Sequence, residues 1–310
     1  MAERPPEAIE PSNPDKLFFP AAGIDKAAVV DYYSRVGKEL LAHYAGRPLS
    51  LKRAPDGVDG AVFFQKRVAD HYPDWLDRVA VPIEGGTMVQ PTADSWQALA
   101  WLADQGAVEF HGALSRADAL DAPDRLILDF DPPSDATDAD DRRRWMPAIV
   151  SAARAARDLL AQLDAPAYVM TTGSRGLHLL VPLDGRSDFE TSRALASALA
   201  ERLTADDPDR LTVAQRKADR GARVFVDWLR NAYGQTTILP YSLRALPGAP
   251  VAAPLDWDEL STSMDPQRVT LGSLFRRLGQ REDPWADLYG AHAKRRRLSA
   301  TALRERLEAL

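Results

Sequence analysis

The chain has 310 residues, 45% hydrophobic and 27% charged, a balance that excludes fibrous and disordered classes. Its 39 Lys and Arg face 45 Asp and Glu, and the net charge of -6 argues against a uniformly cationic coat for nucleic acid while leaving room for a local basic groove. Cysteine is absent, which excludes disulfides, thiolate metal sites and a cysteine nucleophile, so any metal must rest on oxygen and imidazole ligands.

Met1 to Pro14 is rich in Pro and Glu and lacks the apolar core of a signal peptide, and runs such as Leu177 to Leu183 are too short to span a bilayer. A soluble, cytoplasmic protein without a membrane partner is expected. Asp25 stands at a cap position ahead of a helix predicted over about Lys26 to Tyr44, in which Val29, Tyr33, Val36, Leu40 and Tyr44 recur at spacings of three and four. Gly46 and Pro48 end it. A stretch punctuated by Gly and Pro follows, with the apolar run Ala61 to Phe64, and then a second helix from Ser95 to about Gln105. Val108 to His111 reads as a short strand, and Arg125 to Asp131 alternates like a half-buried strand that stops at Pro132-Pro133.

Arg142 to Leu163 carries one apolar stripe, Ile149, Ala153, Ala156, Leu160 and Leu163, and is predicted helical. Tyr168 to Thr171 and Leu177 to Leu183 are predicted strands joined by the turn Thr172 to Gly176. A helix over about Phe189 to Leu203 leads to a strand at Arg223 to Trp228. Helix and strand patterns alternate, so the class is α/β with a mixed sheet. The length admits one large domain or two modest ones that share a cleft. Residues 261-310 read as a helical, Arg-rich extension that includes Lys294 to Arg297.

Asp129 and Asp131 flank Phe130, so on a strand both carboxylates share one face. Such a pair makes a cradle for Mg²⁺ or Mn²⁺ with positions left open for phosphates. Alone, the pattern equally fits residues that cap a turn, and it also serves sugar-nucleotide transferases and phosphatases. The turn Thr172 to Gly176 offers backbone amides, two hydroxyls and Arg175, then returns through His178, a set suited to phosphate oxygens but also to ordinary hairpin punctuation. Asp227 stands in the apolar strand Val224-Phe225-Val226-Asp227-Trp228, where an acid must be paired, hydrogen-bonded or metal-bound.

These three segments resemble the motifs of archaeo-eukaryotic primase-polymerases, and more narrowly the polymerase domain of bacterial DNA ligase D and its stand-alone actinobacterial relatives. Further ordered matches include Asp15 to Pro20, Leu51-Lys52-Arg53, Tyr241 to Arg244 and Pro254 to Leu260. The resemblance implies a mixed-sheet primase-polymerase core with flanking helices, a catalytic domain over residues 1-260 made of two packed subdomains sharing one cleft. Asp129, Asp131 and Asp227 would hold two Mn²⁺ or Mg²⁺, and Lys52, Thr172, Ser174, Arg175, His178 and Arg244 would bind nucleotide phosphates. His111 would touch the sugar of an NTP or dNTP, with ribonucleotides preferred. Arg53, Phe63, Phe64 and Arg220 would contact template or DNA, and Asn13, Lys16 and Lys26 would hold the 5′-phosphate at a gap.

Arg210 to Arg230 carries six Lys or Arg against two Asp, which supplies the local basic patch. Thr172 stands where relatives often carry serine, Arg175 where lysine is common, Leu246 where a second arginine often follows Arg244, and Arg230 where relatives have a neutral polar residue. At this length no ligase or nuclease module fits beside the polymerase, so sealing is expected from a DNA ligase in trans or as a fused domain, with Ku as a candidate partner by resemblance. The expected protein is a monomer at the bacterial nucleoid that fills gaps in broken double-stranded DNA during repair. The alternatives are a primase, a phosphohydrolase using Asp129 as nucleophile, and a non-catalytic module that binds DNA ends.

Overall fold

The fold was obtained as a computed structural model, which describes residues 4–133, 138–290 and 297–310. Lys294 to Arg296 of the basic run lie outside the described residues. The backbone divides into two compact units. One comprises Met1–Leu120, Thr236–Ala252 and Thr270–Gly272, and the other Asp121–Gln235, Ala253–Val269 and Ser273–Leu310.

In the unit that holds the amino terminus, four antiparallel strands run in the order Thr236–Ile238, Ala107–Ala113, Leu49–Arg53 and Phe63–Gln65. Helices Lys26–Leu40 and Trp96–Asp104 pack against one another, and the second also packs on the strand Ala107–Ala113. Gly37 permits the helix crossing, because a Cβ there would stand 2.5 Å from the Trp96 Cα. Asp25 caps the first helix by accepting from the Ala28 amide. The helix stops at Leu40, short of the predicted Tyr44, because the chain tightens into a 3-10 turn over Leu41–His43 closed by the Tyr44 amide on the Leu41 carbonyl.

The other unit is built on a six-stranded sheet in the order Leu211–Thr212, Val224–Asp227, Arg125–Asp131, Leu177–Pro182, Tyr168–Thr171 and Pro254–Leu255. The Leu211–Thr212 and Val224–Asp227 pair is parallel and the rest antiparallel, so the sheet is mixed. The strand Arg125–Asp131 is interior, with neighbours on both edges. Leu126, Leu128 and Phe130 point into the core while Asp129 and Asp131 take the opposite face, as period-two alternation requires.

Helices Ala139–Gln162 and Phe189–Asp206 cover the core face and supply Ile149, Ala153, Leu160, Leu195 and Leu199. Both helices are longer than the apolar stripes predict. Asp138 caps the first by accepting from the Asp141 amide, and polar residues extend the second to Asp206. The chain after Leu260 contributes Met264, Ala300, Leu303 and Leu307 to this same core, the last three from helix Ala300–Glu308. Arg142 bonds Asp265 at 3.0 Å and Arg277 bonds Glu259 at 2.6 Å, fixing that chain to the unit. No helix among the described residues is long and apolar enough to cross a membrane.

Candidate functional site

Register brings the predicted acids together. Asp129 pairs with Asp227 on one side and with His178 on the other, and Asp131 follows two residues along the same face. His178 Nε2 lies 3.3 Å from Asp129 Oδ2, and Arg175 Nη2 lies 3.8 Å from Asp131 Oδ1. The Leu229 amide donates to Asp227 Oδ1 at 2.8 Å. Asp129 Oδ1 and His178 Nδ1 are buried with no hydrogen-bond partner.

The electrostatics of this face are strained. Burial, then repulsion from Asp129, pushes the Asp131 carboxyl up to about 7, against the pull of Arg175 and His178. Burial and the same Asp129 charge also raise the Asp227 pKa, against its Leu229 hydrogen bond and the charges of Arg230 and Arg220. Such a face carries surplus negative charge, and its hard oxygen donors are those that Mg²⁺ or Mn²⁺ prefers. Among the described residues no three His, Asp or Glu side chains already converge into a metal-ligand set. The register, the unpartnered Asp129 oxygen and the upward shifts nonetheless fit a divalent cation.

The turn Thr172 to Gly176 is more constrained than its sequence suggests. Thr172 is buried, and its hydroxyl donates to the Gly176 carbonyl at 3.2 Å while accepting from the Ser174 and Gly176 amides at 3.2 and 3.3 Å. That hydroxyl braces the turn. Gly173 adopts φ 64°, and a Cβ on Gly176 would stand 2.0 Å from the Phe130 carbonyl, so the turn lies close against the acid-bearing strand. Gln267, which sequence reasoning passed over, donates to the Ser174 carbonyl at 3.0 Å from the far side.

Arg220 is likewise engaged within its own unit. Its guanidinium donates to the Ala214 and Gln215 carbonyls at 3.0 Å and stacks 3.6 Å over the Phe225 ring, next to Val226 and Asp227 in sequence. It holds the basic loop closed onto the strand that carries Asp227.

In the other unit, the structure gathers Lys52, His111 and Arg244 around Glu109, a residue that sequence reasoning missed. Glu109 has a side chain only 1% exposed and accepts from Lys52 Nζ at 2.9 Å, from the Ala245 amide at 3.0 Å and from His111 Nε2 at 2.9 Å, with Arg244 Nη1 at 3.4 Å. The signal was present: Glu109 lies two residues before His111 on a predicted strand and so shares its face. Phe63 and Phe64 are 45% and 59% exposed, both open because Phe63–Gln65 is an edge strand. His111 meets the Phe64 ring edge-on at 5.2 Å, and Arg53 lies over Phe63 at 5.7 Å while donating to the Gln105 carbonyl and Gln65.

Asn13, Lys16 and Lys26 share a backbone-linked segment, with the Lys16 amide on the Asn13 carbonyl and the Lys26 amide on the Lys16 carbonyl. Each lysine ammonium has its own acid partner. Lys16 Nζ pairs with the exposed Asp56 at 2.7 Å, and Lys26 Nζ is buried against Asp104 at 2.7 Å and Ser12 at 2.6 Å.

Comparison with known proteins places this geometry in a family context. The family described as LigD, primase-polymerase domain, matches residues 25–285. The multifunctional non-homologous end joining DNA repair protein LigD of Mycobacterium tuberculosis H37Rv is 38% identical over 272 residues, covering 84% of this chain and 34% of that protein. The Pseudomonas aeruginosa LigD is 32% identical over 306 residues, covering 95% of this chain and 34% of its own length. This chain thus spans about a third of the length of these relatives. A solved structure described as the polymerase domain from Mycobacterium tuberculosis ligase D in complex with DNA superposes with a TM-score of 0.84 at 36% identity, covering 91% of this chain and 98% of that one. The chain belongs to the LigD primase-polymerase family.

Proposed function

We propose that the protein is a template-directed nucleotidyltransferase that fills short gaps or extends break ends in DNA during non-homologous end joining, with a preference for ribonucleotides. The observation that carries this reading is the register of Asp129 against Asp227, with Asp131 on the same face and a buried Asp129 oxygen left without a partner. In the reaction a primer 3′-hydroxyl attacks the α-phosphorus of the incoming nucleotide, a new phosphodiester bond forms, and pyrophosphate leaves with the broken bond's electron pair. Bound at Asp129, Asp131 and Asp227, Mg²⁺ or Mn²⁺ would supply charge neutralisation for the triphosphate and a more acidic primer hydroxyl.

The protein's own groups prepare that chemistry. His178 and the strand register orient Asp129, and the Leu229 amide orients Asp227. The Thr172 hydroxyl shapes a turn whose Ser174 and Arg175 are the proposed phosphate contacts, while Lys52, His111 and Arg244 are the proposed contacts of nucleotide phosphates and sugar. Lys16, more exposed than Lys26, is the proposed contact for a downstream 5′-phosphate, which would displace Asp56. Lys26 would hold the segment through Asp104 and Ser12. End sealing would fall to a DNA ligase, fused or separate, and Ku is a candidate partner.

The test is primer extension on duplex DNA with a one-nucleotide gap, comparing NTP with dNTP, Mn²⁺ with Mg²⁺, and 5′-phosphate with 5′-hydroxyl. Metal-dependent, templated extension favouring NTP and the 5′-phosphate is expected. Gap binding without extension under any condition would leave a DNA-end binding module. Extension blind to the 5′ group would remove the role given to Lys16.

A further inference from the structure

Glu109 lies on the strand Ala107–Ala113, and four donors from three segments converge on its carboxylate: Lys52 of the neighbouring strand, His111 of its own strand, and Arg244 with the Ala245 amide. Leaving such a charge buried is costly unless it is paired and hydrogen-bonded, and here it is both. Burial pushes the Glu109 pKa up, but the His111 hydrogen bond and the Arg244 and Lys52 charges hold it well below the usual carboxylate range. An ionised carboxylate has no proton to give, so the hydrogen on the 2.9 Å contact belongs to His111 Nε2.

Burial, with help from Arg244 and Lys52, holds the His111 imidazole below its ordinary pKa despite the pull of Glu109, so the ring is neutral at pH 7. A neutral ring protonated at Nε2 presents a bare lone pair at Nδ1, which accepts a hydrogen bond and cannot donate one. A sugar hydroxyl is a donor of the kind that lone pair takes, and a sugar lacking the hydroxyl leaves it unpaired. The same carboxylate sets where the Lys52 and Arg244 charges stand.

We propose that Glu109 is a positioning residue for nucleotide selection: it fixes His111 as a hydroxyl acceptor and anchors Lys52 and Arg244 beside it, so that a triphosphate bearing a ribose 2′-hydroxyl binds in preference to one without. This rests on the polymerase reading of the preceding section. Gln at this position keeps the length but removes the charge and turns one oxygen into a donor, which releases the imidazole from its tautomer.

The test uses the full chain on one-nucleotide-gapped DNA opposite thymine, with ATP or dATP. Glu109→Gln is expected to raise the KM for ATP about 10-fold with kcat within about 3-fold of wild type, and to lower the ATP/dATP ratio of kcat/KM about 5-fold, with gapped-DNA affinity unchanged. A variant with lower thermal stability and an unaltered ATP/dATP ratio would make Glu109 merely structural and overturn the proposal. A second measurement does not depend on turnover or on the variant folding. In ¹⁵N-histidine-labelled wild type, with the His111 signal identified by its loss in His111→Gln, proton attachment at Nε2 and a lone-pair signal at Nδ1 are expected at pH 7. Protonation at Nδ1 would overturn the proposal even if the enzyme extends primers. Failure of the wild type to extend any primer would instead overturn the polymerase reading and, with it, the selection role.

Discussion

Asp129 and Asp227 occupy directly opposed positions on neighbouring antiparallel strands, so two carboxylates that sequence separates by almost a hundred residues share one face of one sheet. Asp131 on the same face completes the crowding and takes most of its consequence. Asp227→Ala removes one acid from the crowded face at the cost of the single half-buried hydrogen bond from the Leu229 amide, so the fold and gapped-DNA binding are expected to survive while extension falls at least about 100-fold. Primer extension alongside a binding titration checks this. Retained extension would remove Asp227 from the site.

Asp131 gives a stability prediction with a definite sign. Its carboxyl ionises at about 7 in the fold, raised from the ordinary 3.8 by burial and by Asp129. Between those values the folded protein binds more protons than the unfolded chain, so stability is complete below about pH 4 and is lost as pH climbs through 7. Asp131→Asn abolishes that loss. A quarter of the side chain still meets solvent, so the expected gain is about 1–3 kcal/mol at pH 8 and near zero at pH 4, in metal-free buffer. Thermal melts of both proteins across that range check it, and an offset independent of pH would contradict the assigned repulsion.

The Thr172 hydroxyl predicts a split between two substitutions. Thr172→Ser keeps the oxygen that bonds the Gly176 carbonyl and the Ser174 and Gly176 amides, and is expected to unfold within about 0.5 kcal/mol of wild type. Thr172→Val keeps the shape and strands those buried groups, at about 1–3 kcal/mol. Urea unfolding separates them. Equal behaviour would show that the turn does not depend on this oxygen.

The strand Arg125–Asp131 was legible because its alternation is a local property, and so was the shared face of Asp129 and Asp131. That Asp227 would lie opposite Asp129 was not, since pairing between distant strands is fixed by the packing of the whole sheet. Long-range counterions were hidden for the same reason. That Asp56 pairs with Lys16 and Asp104 with Lys26 could not be read from the sequence, because each acid comes from a separate part of the chain. Glu109 was legible on the ground that applies to Asp227, since it is an acid between Val108 and Phe110 in an apolar strand. The segment after Leu260 carried no usable motif because its contribution is apolar packing by Met264, Ala300 and Leu303, with Gln267 bracing the turn.

Gly176 carries the sharpest steric prediction. A methyl there would stand 2.0 Å from the carbonyl oxygen of Phe130, and neither backbone can yield without shifting the strand that holds Asp129 and Asp131. Gly176→Ala is therefore expected to cost about 2–4 kcal/mol by urea unfolding and, in whatever fraction stays folded, to lower extension more than DNA binding. A loss under about 0.5 kcal/mol would show that the turn stands farther from the strand than this geometry requires.

Phe64 offers the opposite combination, a large apolar side chain with little to hold in the fold. It is 59% exposed on an edge strand, where it meets the His111 ring edge to face and lies 6.0 Å from Lys52 Nζ. Removing it should change stability by no more than about 0.5 kcal/mol. If the ring stacks on a base, as proposed for this family member, its loss is worth about 1–3 kcal/mol of binding, or about 5- to 150-fold in affinity for gapped DNA, with no dependence on which base stands at the gap. Fluorescence anisotropy with Phe64→Ala and Phe64→Trp checks this, because the tryptophan retains a stacking face and should bind as wild type or tighter. Equal affinity for all three proteins would leave the exposed ring without a role in DNA binding and would leave Phe63, whose ring lies beneath the Arg53 guanidinium, as the aromatic that meets the template.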